Sequence, residues 1–266
     1  MSNLLAITLG NTSVAMATVA DDGALGDVRG EPLARLEVLF AEFVPAPVER
    51  EAPIIVASVN PPALARLRAV APADGPASPL AARDDFPIPI ATDVAEPEKV
   101  GVDRLLAALA AYRRTGGACV IVDCGTAVTV DAVDSGGVFL GGAIFPGRDM
   151  MARALADGTA QLPHVEGGAA PESVIGKSTE EAILAGLVHG TAGALDSLVA
   201  GAMMEVGLHA HVLVTGGDAR VPESPAPPGQ SLPPPWRSPV LRRKSEIVPD
   251  LVLEGLVIAY REWQER

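Results

Sequence analysis

Apolar and polar positions along the chain change period several times, and each change marks an element. Residues 3–9 and 13–19 are apolar stretches on either side of the polar turn Gly10-Asn11-Thr12, a pattern that predicts a hairpin. Residues 33–44 (LARLEVLFAEFV) carry helical spacing. Residues 53–59 (PIIVASV) read as a buried strand that stops at Asn60-Pro61-Pro62, with a helix over 63–71. A strong helix follows over 101–114 and ends at Gly116-Gly117. Residues 118–125 (ACVIVDCG) form a continuous apolar run, as expected of a strand covered on both faces. Residues 126–133 alternate, Asp134-Ser135-Gly136-Gly137 turns the chain, and 138–147 read as a further strand.

The second half continues in the same manner. Residues 148–157 look helical. A long Ala-rich helix spans 178–207 and opens with the capping box Ser178-Thr179-Glu180-Glu181. Residues 211–217 (HVLVTGG) predict a strand and a glycine turn, and 249–264 a closing helix with Pro near its start. Alternating strands and helices place the chain in the α/β class. The stretch 221–239 (VPESPAPPGQSLPPPWRSP) cannot be helical and reads as an extended solvent loop, with a ligand for a Pro-binding domain as the other option.

An internal comparison sharpens this picture. When residues 6–17 are set against 120–132, Ile7 falls on Val122, Thr8 on Asp123, Leu9 on Cys124 and Gly10 on Gly125. Each segment is an apolar strand, a glycine turn with hydroxyl residues and a second strand. One copy in each half predicts a duplicated architecture, with the two turns facing each other across a cleft. The carboxylate present in the second copy is absent from the first.

Composition narrows the function classes. The formal charge of −13 argues against nucleic acid, whose phosphates are bound by Lys and Arg. Hydrophobic residues make up 48% but aromatics only 3%, so the core is built from Ala, Val, Leu and Ile. No uninterrupted apolar run approaches about 20 residues, and a membrane span is not expected. The N-terminus lacks a basic region followed by an apolar stretch, so no signal peptide is expected. Cys119 and Cys124, five apart in one strand, point to opposite faces and are not expected to pair; reduced thiols fit a cytoplasmic protein. The four histidines are isolated or flank a strand and read as structural or solvated.

A collinear set of short motifs resembles the type III pantothenate kinases. It comprises the Gly10-Asn11-Thr12 turn, SVNPP (58–62), PEKVGVDR (97–104), DCGTAVTVD (123–131), GGAIFPG (141–147), LP (162–163), VIGKST (174–179), VTGGDA (214–219) and PDLVLEGL (249–256). Each motif alone is weak, and their order through most of the chain is what is specific. The resemblance implies a duplicated actin-like, ribonuclease-H-like fold of two domains, here 1–114 and 115–266, with a nucleotide cleft between the halves. It implies transfer of the γ-phosphoryl of ATP to the hydroxyl of pantothenate, the first step of coenzyme A synthesis. It further implies a homodimer that requires Mg²⁺ and a monovalent cation, K⁺ or NH₄⁺.

Site residues follow from the same resemblance. Asp103, the aspartate of Gly-x-Asp-Arg, matches the catalytic base; on the residues alone it could equally be a helix N-cap. Gly101, Val102, Asp103 and Arg104 would line the pantothenate pocket, although Arg104 alone could be a surface ion pair. Thr179 matches the threonine that contacts pantothenate, and it also stands at the cap of the long helix. Thr8, Leu9, Gly10, Asn11, Thr12 and Ser13 match the first phosphate motif, and Thr126 matches the ATP-contacting threonine. Asp123 matches the monovalent-cation ligand; a turn-forming aspartate is the alternative. Gly216-Gly217 would approach the nucleotide closely, or be a plain turn.

Three departures stand out. The first motif of the family normally has an aspartate where Thr8 stands. If its loss resembles removal of an oxyanion-stabilising group, the rate falls on the order of 10²–10³-fold. Val94 replaces a frequent tyrosine contact. The Pro-rich stretch 221–239 replaces a segment that is usually short or helical. The competing readings are therefore a pantothenate kinase, a catalytically impaired homologue with a binding or regulatory role, and a kinase for another small hydroxy substrate.

Overall fold

The computed structural model describes residues 4–44, 52–73, 75, 77–165, 173–217 and 245–266. The chain divides into two compact units. The first comprises Met1–Gly116, Gly137–Phe139 and Asp250–Arg266; the second comprises Gly117–Gly136 and Leu140–Pro249. The Pro-rich stretch 221–239 lies outside the described residues.

The first unit is built on β1 (Leu4–Leu9), β2 (Ser13–Val19), β3 (Arg29–Pro32), β4 (Ile54–Ser58) and β5 (Pro79–Ala81), in the order β3-β2-β1-β4-β5. Strand β1 is central, antiparallel to β2 (Leu9 opposite Val14) and parallel to β4 (Leu9 opposite Ser58). Its residues alternate between two cores. Leu5, Ile7 and Leu9 meet Leu36, Leu39 and Leu67 from α1 (Leu36–Phe43) and α2 (Pro61–Val70). Leu4 and Ala6 meet Leu106, Leu109 and Leu256 from α3 (Val102–Thr115) and the closing helix. Burial on both faces explains why this strand reads as an unbroken apolar run.

The second unit is built on β7 (Cys119–Cys124), β8 (Ala127–Val133), β9 (Val138–Pro146), β10 (His211–Thr215) and β11 (Ser245–Ile247), in the order β11-β10-β7-β8-β9. The short β6 (Ala91–Thr92) pairs in parallel with Val138 and Phe139, the start of β9 that belongs to the first unit. Helices α4 (Arg148–Gly158) and α5 (Thr179–Val206) follow β9 in sequence. By length and composition α5 could cross a membrane. Here Leu195, Val199 and Met203 are packed among Val120, Val122, Val128 and Val214 of the sheet.

The two strand orders are the same when β7 is matched to β1. The duplication visible in the first hairpin therefore runs through five strands. The matching was hidden because β3, β5 and β11 have only three or four residues each and carry no readable alternation. Helix α2 begins at Pro61, two residues before the expected start. Proline is tolerated at helix N-termini, and the Asn60 side chain accepts the Ala63 N–H (3.0 Å) as cap.

Division by chain order places the closing helix, α6 (Leu251–Gln264), in the second half, whereas it belongs to the first compact unit. Physical reasons are plain. Leu253, Leu256 and Val257 are buried in the α3 core, Phe86, Tyr260 and Trp263 form an aromatic cluster, and the Arg113 guanidinium donates to Glu262 (2.8 and 3.1 Å). Gly255 allows this approach, because a Cβ there would run into the Leu106 carbonyl of α3.

Gly255→Ala is expected to destabilise the fold by about 1–3 kcal/mol through overpacking against backbone. Gly190→Ala, in open space on α5, is expected to stabilise by roughly 0.5–1 kcal/mol. Denaturant unfolding of both variants checks the pair; a neutral Gly255→Ala would contradict the packing.

Candidate active site

In the first unit the ends of β1 and β4 are tied together. The Val59 N–H donates to Leu9 O (3.1 Å), and the Asn60 Nδ2 donates to Gly10 O (3.3 Å). Gly10 N–H closes its own turn on Ser13 O (2.9 Å). Asn11, Thr12 and Ser13 are exposed, while Thr8 is half-buried at the end of β1. Leu9 is a core residue, so only its backbone is open to a ligand.

Gly101 and Asp103 open α3. Gly101 is the N-cap and Asp103 the second helical residue, so Asp103 is not a cap. Its Oδ1 accepts the Arg104 N–H (2.8 Å), one of the donors left over at a helix start. A Cβ at Gly101 would meet that same oxygen, with Val59 Cγ1 close by. The Gly-x-Asp spacing thus has a steric cause: a bare Cα leaves room for the carboxylate. Val102 turns its side chain into the core, leaving only its backbone for binding. Arg104 lies over the Phe139 ring (5.5 Å).

The Asp103 carboxyl titrates above the ordinary carboxylate range. Burial is the main cause; the Arg104 N–H and the charges of Arg104 and Arg83 oppose it. A raised carboxyl is a better proton acceptor near neutral pH, and a general base gains from that.

In the second unit, Asp123 is the last residue but one of β7, opposite Thr129 of β8 and Thr215 of β10. It is half-buried. Gly216, with a left-handed φ of 98°, folds over it so closely that a Cβ would meet Asp123 Oδ1 and the Cys124 carbonyl. Thr126 O accepts the Gly147 N–H (3.0 Å). One carboxylate beside backbone carbonyls is a donor set for a hard cation. Among the described residues no group of three His, Cys, Asp or Glu could hold a metal. Thr179 is exposed at the first turn of α5. Ser178 Oγ accepts the Glu181 N–H (3.2 Å) and Glu181 Oε2 accepts the Lys177 N–H (2.6 Å), so the cap does not use the Thr179 side chain.

The predicted residues thus fall into separate groups. Thr8–Ser13 and Gly101–Arg104 belong to the first unit; Asp123, Thr126 and Thr179 belong to the second. The role of Asn60 in joining the two strand ends had only an Asn-Pro signal in the sequence. Arg83 had none.

A family model described as type III pantothenate kinase matches residues 4–201. The chain belongs to that family. A type III pantothenate kinase of Frankia alni is 38% identical over 221 residues, covering 80% of this chain and 87% of the relative. One of Dehalococcoides mccartyi is 31% identical over 267 residues, covering 97% of each. Two solved structures are similar along the whole chain. The (R)-2-hydroxyglutaryl-CoA dehydratase component A of Acidaminococcus fermentans has a TM-score of 0.53 at 14% identity, covering 99% of this chain and 100% of its own. The activator of 2-hydroxyisocaproyl-CoA dehydratase from Clostridium difficile, solved with bound ADPNP, has a TM-score of 0.52 at 14% identity, covering 99% and 96%. That likeness speaks for the fold, and with the repeated strand order it establishes the duplicated actin-like architecture expected of type III pantothenate kinases.

Because burial favours the protonated Asp103, the folded state binds more protons than the unfolded one between the unfolded and folded values. Stability therefore falls as pH rises through that window. Asp103→Asn removes the cost. Its stability relative to the parent is expected to grow from acid to neutral pH, and the gap to close below the unfolded carboxylate range. Thermal melts across pH check this; a gap independent of pH would contradict a desolvated carboxyl.

Proposed function

We propose that the protein transfers the γ-phosphoryl of ATP to the 4′-hydroxyl of pantothenate, giving 4′-phosphopantothenate and ADP in the first step of coenzyme A biosynthesis. The carrying observation is Asp103: a desolvated carboxylate at the Gly-x-Asp-Arg position, in a chain that aligns along nearly its whole length with type III pantothenate kinases.

Asp103 takes the proton from the hydroxyl as its oxygen attacks the γ-phosphorus. The bond to the β–γ bridging oxygen breaks and ADP leaves. Arg104, held over Phe139, supplies a fixed cation for the anionic substrate, with Gly101, the Val102 backbone and Thr179 completing its contacts. The Thr8–Ser13 turn and the Thr126 hydroxyl bind ATP phosphates. Asp123 and the neighbouring carbonyl of Cys124 would hold K⁺ or NH₄⁺, which neutralises phosphate charge when bound. Mg²⁺ would arrive on the ATP phosphates, where Thr8 would offer a hydroxyl rather than a charge.

The assembly is a homodimer. Ile144, Met150, Val174 and Ile175 of the second unit are each large apolar side chains left exposed, which a second copy would cover. The protein works in the cytoplasm, where its two free cysteines stay reduced. Thr8 also favours a second reading, an impaired homologue that binds without turnover.

The test is pantothenate-dependent ADP release with Mg²⁺ and K⁺ present. The parent is expected to turn over, and Thr8→Asp to raise kcat on the order of 10²–10³-fold. Turnover only in Thr8→Asp would support the impaired homologue. Silence in both, with folded protein, would overturn the kinase reading.

A further inference from the structure

Arg83 is the one non-glycine residue with a left-handed backbone among the described residues, at φ 77°. A side chain there is strained, and it persists because the turn after β5 fixes it. Its N–H donates to Phe86 O (2.7 Å), and the Asp85 N–H donates to Ala81 O (2.8 Å). The turn directs the guanidinium to the segment that leads into α3: Nη1 donates to Glu98 O (3.0 Å). Nη2 is buried and has no hydrogen-bond partner.

An arginine is always charged, and a buried donor left unmade is costly. Asp84, Asp85 and Glu96 make no hydrogen bond to Nη2. Asp85 takes the Ala81 N–H (2.7 Å) and the Arg68 guanidinium (3.3 Å), Glu96 pairs with Lys99, and Asp84 is exposed. Arg83 Nη1 holds the Glu98 carbonyl on the segment that leads into Asp103, and the Arg83 charge acts on that carboxyl. A strained residue with a committed Nη1 and an uncommitted buried Nη2, beside the base, is what a ligand contact looks like before the ligand arrives.

We propose that Arg83 is a further substrate-positioning residue, whose buried Nη2 donates a hydrogen bond to an oxygen of the hydroxyl-bearing substrate next to Asp103. The acceptor is a hydroxyl or amide carbonyl oxygen close to the reacting hydroxyl. This inference rests on the pantothenate kinase reading. The Arg83 charge also opposes the rise that burial gives the Asp103 carboxyl, so its loss has a second signature.

Steady-state kinetics of the full chain test this with Arg83→Gly and Arg83→Lys. Glycine suits the left-handed backbone, so that variant loses the guanidinium without adding backbone strain. Arg83→Gly is expected to raise the KM for pantothenate on the order of 10–100-fold, with the KM for ATP unchanged. The acid limb of its kcat/KM profile is expected to move to higher pH, and Arg83→Lys to return the limb while leaving pantothenate KM raised. An unchanged pantothenate KM and an unmoved limb in Arg83→Gly, with an active parent, would overturn the proposal alone. A parent without pantothenate turnover would overturn the kinase reading and this proposal with it.

Discussion

Helix α3 holds a carboxyl group where water reaches it poorly, and it can do so because the opposite side of the helix is fixed by α6. The contact is tight enough that Gly255 must present a bare Cα to the Leu106 carbonyl. Leu105 to Ala111 are all buried along this helix, so α3 has little freedom to tilt or slide. At its start, Gly101 leaves room for the Asp103 side chain, and the Arg104 N–H holds one of its oxygens. Desolvation raises the basicity of the carboxylate; the hydrogen bond and the two arginines keep the ionised form within reach. The stability lost by burying the charge is offset by the apolar contacts of α3 and α6.

Duplication explains why the two units look alike and yet offer different chemistry. Both place a parallel strand beside the central one and a glycine turn at its end. In the second unit the strand end carries Asp123, and Gly216 closes over it, assembling a carboxylate and a carbonyl suited to a cation. In the first, the matching position carries Thr8, and the strand end is joined to β4 through Asn60. One scaffold thus carries a carboxylate at the strand end in one copy and a hydroxyl in the other.

Much of this was legible in the chain. The long apolar runs of β1 and β7 follow from burial on two faces, and α3 and α5 announce themselves through spacing, capping and terminal glycines. Short strands such as β5 and β11 were not legible, because three residues carry no period and their pairing is decided by the neighbouring strand. The placement of α6 with the first unit was equally hidden, since an amphipathic helix does not say which apolar surface it will meet. Among the candidate residues, Asp103 and Arg104 of the first unit and Asp123 of the second stand in motifs. Arg83 does not: its significance lies in a backbone angle and an unmatched donor, both products of tertiary structure.

The desolvated Asp103 carboxylate is the proposed base. The most direct test is the pH dependence of kcat/KM for pantothenate phosphorylation in the parent and in Asp103→Asn. An acid limb with an apparent pKa above about 4, the ordinary carboxylate range, is expected, and it should disappear together with most of the activity in Asp103→Asn. An acid limb at or below that range, or one that survives unchanged in Asp103→Asn, would contradict it.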